Sequence, residues 1–385
     1  MILSVLQLLQ ISFPHLFFYT TFRMLMAAIT SFVITVAFGK VFIAKLVSMK
    51  VGHRVRVSDC KVLANSYDKG EHIPSMGGLL FITTMVLSNF LWMDVTNPYI
   101  FLLTFVLLLM GLIGFVDDYL KMKTQKGLSA KVKFLSQVVV VFSVAAYLNS
   151  DWICTSFNQA MSFSTPLIKG NGMEGPISSF MKFIYIPFCK HPFIISSSFG
   201  LIFFSMFVLI GTANAVNLTD GLDGLATGCM LLVAAVFAII AFVSNHANVS
   251  SYLNILYIEG AGEIAIFLSS MIGALLGFLW FNGYPAQVFM GDTGSLALGG
   301  VIALTSILLR REFLLSLVGG IFVIETASVI LQILSYRFFG KRIFNCSPIH
   351  HHFQIKGWHE SKIVIRFWMI GLILALTGLL SIKIQ

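Results

Sequence analysis

Charge is what this sequence lacks. Asp, Glu, Lys and Arg make up 11% of its 385 residues, where a soluble domain carries about 25%. A surface that poor in charge does not stay in water, which excludes a soluble fold. Disorder is excluded too, because it needs low hydrophobicity and high charge, and 57% of this chain is hydrophobic. Strands of alternating hydrophobicity, the mark of an outer-membrane barrel, are missing. A repeat with a period of roughly 20–50 residues is also missing, as is inverted symmetry between halves, so one domain is expected over 1–385. Cysteine is scarce and odd in number, with five. Cys154 and Cys189 admit a disulfide, but free packing thiols are the simpler expectation. Met1 to Thr20 has neither a basic leader nor a small-residue cleavage site and is not read as a signal peptide. The net charge of +9 calls for no nucleic-acid partner; in a membrane protein the placement of the basic residues matters more.

What is present is a series of long apolar runs. Val95 to Val116 contains no charged residue. At about 1.5 Å per residue it can cross a hydrocarbon core of about 30 Å. Such runs predict an all-α, polytopic membrane protein with about ten helices, near 21–46, 75–93, 97–117, 132–149, 194–213, 225–244, 262–281, 294–309, 313–338 and 362–383. The 37 Phe and 31 Gly suit lipid-facing and helix-packing positions. Ten spans put both termini on one side. Threaded this way, one set of flanks holds 18 of the 25 Lys and Arg. That set is expected to be cytoplasmic and the termini external. The external loop is expected at about 149–192, where glycines and prolines predict turns and short surface structure. Cytoplasmic loops are expected at about 47–74, 118–131, 214–224, 282–293 and 339–361.

Of only 16 acids, five lie at the cytoplasmic ends of these runs: Asp117, Asp118, Asp220, Asp223 and Asp292. Carboxylates near a bilayer are costly and usually functional. Asp117 and Asp118 are adjacent and repel, so they stay ionised only beside cations or strong donors. As plain helix-end acids they would oppose the macrodipole. Asn214, Asn217, Asp220 and Asp223 recur every third residue, a slowly drifting stripe on helical backbone. Beside Gly221 and Gly224 it suits a nucleotide or a metal-bound phosphate; the bland alternative is a polar turn. Asp292 stands near a helix start, where it is either a cap or a ligand for Mg²⁺, which prefers oxygen donors and waters. Asp117 or Asp118 would complete that site.

His350, His351 and His352 lie in the last cytoplasmic loop. Three consecutive His cannot all face one ion, and no Cys partner or HExxH accompanies them, so zinc is a poor reading. Imidazoles near neutrality donate to phosphate or shuttle protons. Pro74-Ser75-Met76-Gly77-Gly78 is expected to open the second helix, with free backbone donors and the Ser75 hydroxyl available to an anion; helix packing explains the glycines equally well. Lys121, Lys131 and Lys133 sit where they would hold substrate phosphates, although positive-inside bias explains them too. Glu325 is mid-span and is expected to face protein and pair with a polar neighbour, for which Gln332 is too far along the helix.

Five segments together resemble a known family: Gly114–Lys121 (GFVDDYLK), Gly127–Lys133 (GLSAKVK), Asn214–Ala226 (NAVNLTDGLDGLA), Met290–Gly300 (MGDTGSLALGG) and Pro348–Trp358 (PIHHHFQIKGW). They are similar to the phospho-N-acetylmuramoyl-pentapeptide transferases, within the polyprenyl-phosphate N-acetylhexosamine-1-phosphate transferase superfamily. The triple His followed by Phe and Gly-Trp points to the muramoyl members. The resemblance implies transfer of phospho-N-acetylmuramoyl-pentapeptide from its UDP derivative to undecaprenyl phosphate, giving lipid I and UMP. It implies Mg²⁺ and the cytoplasmic face of a bacterial inner membrane. It implies catalytic roles for Asp117, Asp118 and Asp292, with Asp292 a metal ligand. It implies a nucleoside pocket with Asn217 and Asp220, joined by Phe289 and Gln332, and an essential loop at His350, His351 and His352. Membrane lipids are expected partners and a homodimer is a candidate assembly.

The chain departs from the family pattern at Gly70-Glu-His-Ile-Pro-Ser75, where the family usually has Lys-x-Gly-Thr-Pro-Thr; Lys69 stands one place earlier. Two competitors remain at this point. One is a sibling transferase that uses UDP-N-acetylglucosamine, against which the His loop argues. The other is a lipid or solute transporter. Transporter sites lie near the midplane between repeats, whereas here only Glu325 is central.

Overall fold

A computed structural model describes residues 15–49, 73–124, 126–161, 167–170, 172–189, 191–194 and 197–384. Lys69, Gly70 to His72, Cys60 and most of the expected 47–74 loop lie outside the described residues. After a single 3₁₀ turn, His15–Phe18, the helices are α1 (Thr20–Ser48), α2 (Gly78–Trp92), α3 (Pro98–Thr124), α4 (Ala130–Asn149) and α5 (Asp151–Met161). Two short strands follow, β1 (Ile168–Gly170) and β2 (Met173–Gly175), then α6 (Ile177–Phe180), β3 (Phe183–Ile184) and β4 (Phe193–Ile194). The second half holds α7 (Ser198–Thr219), α8 (Leu225–Ser244), α9 (Ala247–Tyr252), β5 (Tyr257–Ile258) and α10 (Ala261–Asn282). It closes with α11 (Gly291–Leu308), α12 (Glu312–Val318), α13 (Gly320–Phe339), α14 (Ile349–Ile355) and α15 (Glu360–Ile384). Among the described residues nine helices are long and apolar enough to cross a membrane, and α2 is a shorter apolar helix of 15 residues. The protein is thus all-α and polytopic.

The bundle is built around α11. In its most apolar stretch 89% of residues are buried, against 22% in α1, so α11 has no lipid-facing side. Small residues allow this: a Cβ on Gly299 would lie 2.6 Å from the Ala213 Cα of α7. Helices associate this closely in lipid when small residues let backbones approach. Around α11 pack α3, α7 and α2, with α8 and α10 completing the core. The outer helices keep Phe199, Phe203, Phe207, Phe338 and Phe339 exposed, as a lipid-facing surface requires.

The end of α11 at Leu308 carries the short surface structure expected for 149–192. β1 pairs antiparallel with β2 and β5, and β3 with β4. Arg310 fastens this layer: its guanidinium donates to Met181 O at 2.9 Å and Phe183 O at 2.6 Å and pairs with Glu312. Cys154 and Cys189 are both free thiols, as are Cys229 and Cys346.

Several expected boundaries are corrected. α7 runs on to Thr219, so Asn214 and Asn217 are helical and the loop shrinks to 220–224. The helix continues because both amides find partners on neighbouring helices. α3 likewise runs to Thr124. The ninth span breaks at Gly319 into α12 and α13. α2 begins at Gly78 rather than Ser75, since Met76 has φ 72° and cannot join a helix.

Candidate functional site

The N-terminal end of α11 is where the polar residues gather. α3 delivers two carboxylates there because Gly114, one turn before Asp117, has no side chain: a Cβ at that position would collide with the Asp292 carbonyl. Asp118 is 1% exposed. Its Oδ1 accepts the Asp292 backbone N–H at 3.2 Å, and its Oδ2 accepts the Thr293 N–H at 2.9 Å and hydroxyl at 2.7 Å. The first backbone donors of a helix need such acceptors. Asp118 therefore caps α11 from another helix, and Asp292, expected as a cap, is freed from that task. Both Asp118 oxygens accept bonds from the start of α11.

Asp117 and Asp292 face two ammonium groups. Lys121 Nζ lies 2.8 Å from Asp117 Oδ2 and 2.9 Å from Asp292 Oδ2. Lys133, from α4, reaches Asp117 Oδ2 at 3.3 Å and bonds Asp292 Oδ2 as well. The other Asp117 oxygen accepts the Leu128 N–H at 2.6 Å. One oxygen from each of two carboxylates thus converges on cations. That geometry fits a hard divalent ion held by one or two carboxylates with waters and ligand phosphates. Among the described residues no group of three or more His, Cys, Asp or Glu offers a complete protein cage. Asp118, Asp117 and Asp292 are three carboxyl groups against two ammonium groups, an imbalance that a further cation would reduce. Lys121 and Lys133, expected on substrate phosphates, pair with these acids here. Their side chains keep 22% and 17% of their surface, so the pairs open on solvent.

The period-three stripe acts as a seam. Asn214 Nδ2 donates to Gln137 Oε1 on α4 at 2.8 Å, and Asn217 Nδ2 to Ser295 Oγ on α11 at 2.8 Å. Asp223 Oδ2 accepts the Ala286 N–H at 2.9 Å, and its own N–H donates to Glu360 Oε1 at 2.9 Å. Asp220 is half-buried beside the cage. Burial first, then the Asp292 and Asp118 charges, push its carboxyl up to about 7. Burial also raises Asp223.

The segment before α2, for which an anion site and helix packing are equal expectations, packs closely against 289–290. Gly77 N donates to Phe289 O at 2.8 Å and Gly78 N to Met290 O at 2.9 Å, while Phe289 N donates to Pro74 O at 2.9 Å. The donors are consumed in holding 74–78 against 289–290. The Ser75 hydroxyl is buried and unpaired. Phe289 is half-buried between these strands of chain and the start of α11.

The three histidines point three ways, as their adjacency requires. His350 is fully buried, with Nδ1 3.0 Å from Glu325 Oε2. His351 Nδ1 meets Gln354 Oε1 at 2.7 Å. Burial, with His350 adding to it, lowers His351 to about 4. His352 Nδ1 accepts the Asn345 N–H at 3.1 Å and braces the loop; burial lowers it as well. Gln332 is also a brace. Its amide donates to Phe344 O at 3.0 Å and accepts the N–H groups of Ile343 and Phe344. Asp117, Asp118, Lys121, Lys133, Asp292 and Asp220 come together, with Asn217 one bond away through Ser295. His350 reaches the Asp220 turn. His352 and Gln332 do not join them.

Sequence reasoning missed Gln137, Thr293 and Glu360. Gln137 could have been found, since it follows Lys133 by four residues on an apolar helix, where a polar side chain is conspicuous.

Comparisons with known proteins give the chain its relatives. The family model of glycosyl transferase family 4 matches residues 100–310. The chain is 47% identical, over 393 residues, to the phospho-N-acetylmuramoyl-pentapeptide-transferase of Protochlamydia amoebophila (strain UWE25), covering 97% of this chain and 96% of that one. A protein of the same name from Leptospira biflexa serovar Patoc (strain Patoc 1 / Ames) is 44% identical over 375 residues, with 97% and 96% covered.

Proposed function

The chain belongs to the phospho-N-acetylmuramoyl-pentapeptide transferases, and from that membership we propose how its residues carry the reaction. It transfers phospho-N-acetylmuramoyl-pentapeptide in peptidoglycan synthesis. The donor is the UDP derivative and the acceptor undecaprenyl phosphate. The products are lipid I and UMP. The observation that carries the assignment of the site is the convergence of Asp117 Oδ2 and Asp292 Oδ2 on the Lys121 ammonium.

A phosphate monoester has its second pKa near 6, so the lipid phosphate is mostly ionised at neutral pH and needs little help from a base. Its oxygen attacks the phosphorus that carries the sugar, the bond from that phosphorus to the UMP oxygen breaks, and UMP departs. The obstacle is repulsion between anions. Mg²⁺, held by Asp117 and Asp292 when bound, would supply charge neutralisation. Lys121 and Lys133 move from carboxylate to phosphate as the substrates arrive, which their partial exposure permits. Asp118 keeps the start of α11 in place. A covalent route through Asp117 is disfavoured, because all its oxygens already accept hydrogen bonds and the residue is 3% exposed. Asp220 and Asn217 line the nucleotide side of the cage.

The cage faces the cytoplasm of a bacterial inner membrane in this reading, which rests on the positive-inside bias. Single cysteines at Lys126 and at Gly172, in a background without native cysteine, should label from opposite sides, the first from the cytoplasm. The reaction is tested with purified protein in detergent. UMP release from UDP-N-acetylmuramoyl-pentapeptide with undecaprenyl phosphate and Mg²⁺ supports it. Release from UDP-N-acetylglucosamine alone would assign the sibling activity, and no release with either sugar nucleotide would favour transport. For the chemical step, a stoichiometric burst of UMP without lipid phosphate, with sugar phosphate trapped on Asp117, would overturn direct attack.

A further inference from the structure

Glu325 lies inside α13, fully buried and far from the cage along the sequence. A carboxylate at such a depth is costly unless paired. Its hydrogen-bond partner is His350, from α14, at 3.0 Å between Oε2 and Nδ1. Neither group has any exposed surface. The second ring nitrogen, His350 Nε2, makes no hydrogen bond at all. Its direction is fixed by Gly221: a Cβ added there would collide with Nε2. Gly221 sits between Asp220 and Asp223 in the turn from α7 to α8. The Asp223 end of that turn is tied in turn to Glu360 of α15. Four segments distant in sequence thus meet around one imidazole; its Nε2, left without a protein partner, faces the Asp220 turn, and Glu325 Oε1 on the other side is likewise unpaired. Buried polar atoms are almost always satisfied, and an exception calls for an explanation.

We propose that Glu325 is a positioning residue that acts through His350: it fixes the ring with Nδ1–H toward its own carboxylate and so presents the Nε2 lone pair, as an acceptor, to a ribose hydroxyl of the nucleotide held at the Asp220 turn. A carboxylate behind a functional imidazole selects the tautomer and orientation in this way. Gly221 belongs to the same device, because any side chain there would push the ring off its line. The proposal rests on the reading of the Asp220 turn as the nucleotide side of the site.

The test uses the full-length purified protein in detergent, labelled with ¹⁵N-histidine, and assigns the His350 ring signals by their loss in His350→Gln. In wild type Nδ1 should be the protonated nitrogen facing Glu325. Glu325→Gln keeps an acceptor oxygen and should keep that tautomer. Glu325→Leu should shift the ring toward Nε2–H or a mixture and lower kcat by roughly 10- to 100-fold, with a smaller change in KM for the UDP substrate. Gly221→Ala should disturb the same signals. The Glu325→Leu/His350→Gln double variant should be no slower than the slower single variant, because both remove one function. Should Glu325→Leu fail to fold, Glu325→Asp, whose shorter side chain withdraws the carboxylate, serves for the same readings. Unchanged His350 ring signals in the Leu or Asp variant, or losses that multiply in the double variant, would overturn the proposal. Wild type that releases no UMP would instead overturn the functional reading, and the ring signals would still report whether Glu325 holds His350.

Discussion

At the Leu308 end of α11, Arg310 is 1% exposed; its guanidinium donates to two carbonyls and pairs with Glu312, while Arg310 Nε and Glu312 Oε2 find no partner. At the Gly291 end, Asp117 and Asp118 are 3% and 1% exposed, yet Lys121, Lys133 and Asp292 beside them keep part of their surface. Both ends bury charge, and burial alone would rank them equally. They differ in closure. The Arg310 guanidinium is held by one carboxylate and two carbonyls, with Arg311 buried beside the same carboxylate, and none of the three charged residues opens on solvent. The cage has more carboxyl groups than ammonium groups, and its cations are long, flexible lysines that a ligand can draw away. Buried charge that is closed holds a structure together; buried charge that is open holds a place for something else.

The largest effect expected from breaking this contrast is on stability. Arg310→Met removes the ion-pair partner of buried Glu312, leaving it only the neighbouring Arg311, and should cost about 3–5 kcal/mol, read as a lower thermal midpoint in detergent. UMP release per folded molecule should stay within about twofold, since the cluster lies at the far end of α11. Asp292→Asn should do the reverse. Activity should drop by about two to three orders of magnitude with the thermal midpoint nearly unchanged, and wild-type-like turnover at limiting Mg²⁺ would remove Asp292 from the site.

Asp118→Asn sharpens the contrast within the cage itself. As a cap on α11, Asn retains one acceptor, and the loss should be about 1–2 kcal/mol of stability with little change in the Mg²⁺ concentration for half-maximal rate. A shift in that concentration as large as that of Asp292→Asn would show that Asp118 is a ligand after all. The smallest effect expected is the pH dependence carried by Asp220. Its folded pKa of about 7 lies above its ordinary 3.8, so between these values the unfolded chain holds fewer protons than the folded one. Stability should therefore fall as pH rises from about 4 to about 7. Asp220→Asn should flatten that slope in metal-free buffer, measured by thermal unfolding; a slope unchanged by the substitution would show that another group carries it.

Much of the site was legible because polar residues are rare in this chain. Asp117, Asp118, Asp220 and Asp292 stand out against apolar runs, and the cost of ionised groups near lipid is what makes them conspicuous. The division of labour among them was not legible. Asp117 and Asp118 are neighbours of identical chemistry, and only the position of the α11 start makes one a cap and the other a partner of lysines. Asn214 and Asn217 looked like a loop because amides break apolar patterning. They are helical because Gln137 and Ser295, remote in sequence, satisfy them. Gln332 and His352 carried the right chemistry for a nucleotide, and their bonds to the 343–345 backbone could not be read from spacing.

The sequence by itself determined the all-α membrane architecture, since low charge and long apolar runs leave few alternatives in lipid, where every backbone polar group must be satisfied within a helix or a barrel. It also determined which residue types carry the chemistry. The tertiary structure decided which atoms remain available. That depends on which donors and acceptors are consumed by neighbours tens or hundreds of residues away, as when α11 takes both oxygens of Asp118 and Glu325 takes one nitrogen of His350. Hydrogen bonds are short-ranged and directional, so their pairing is settled only once the helices have packed.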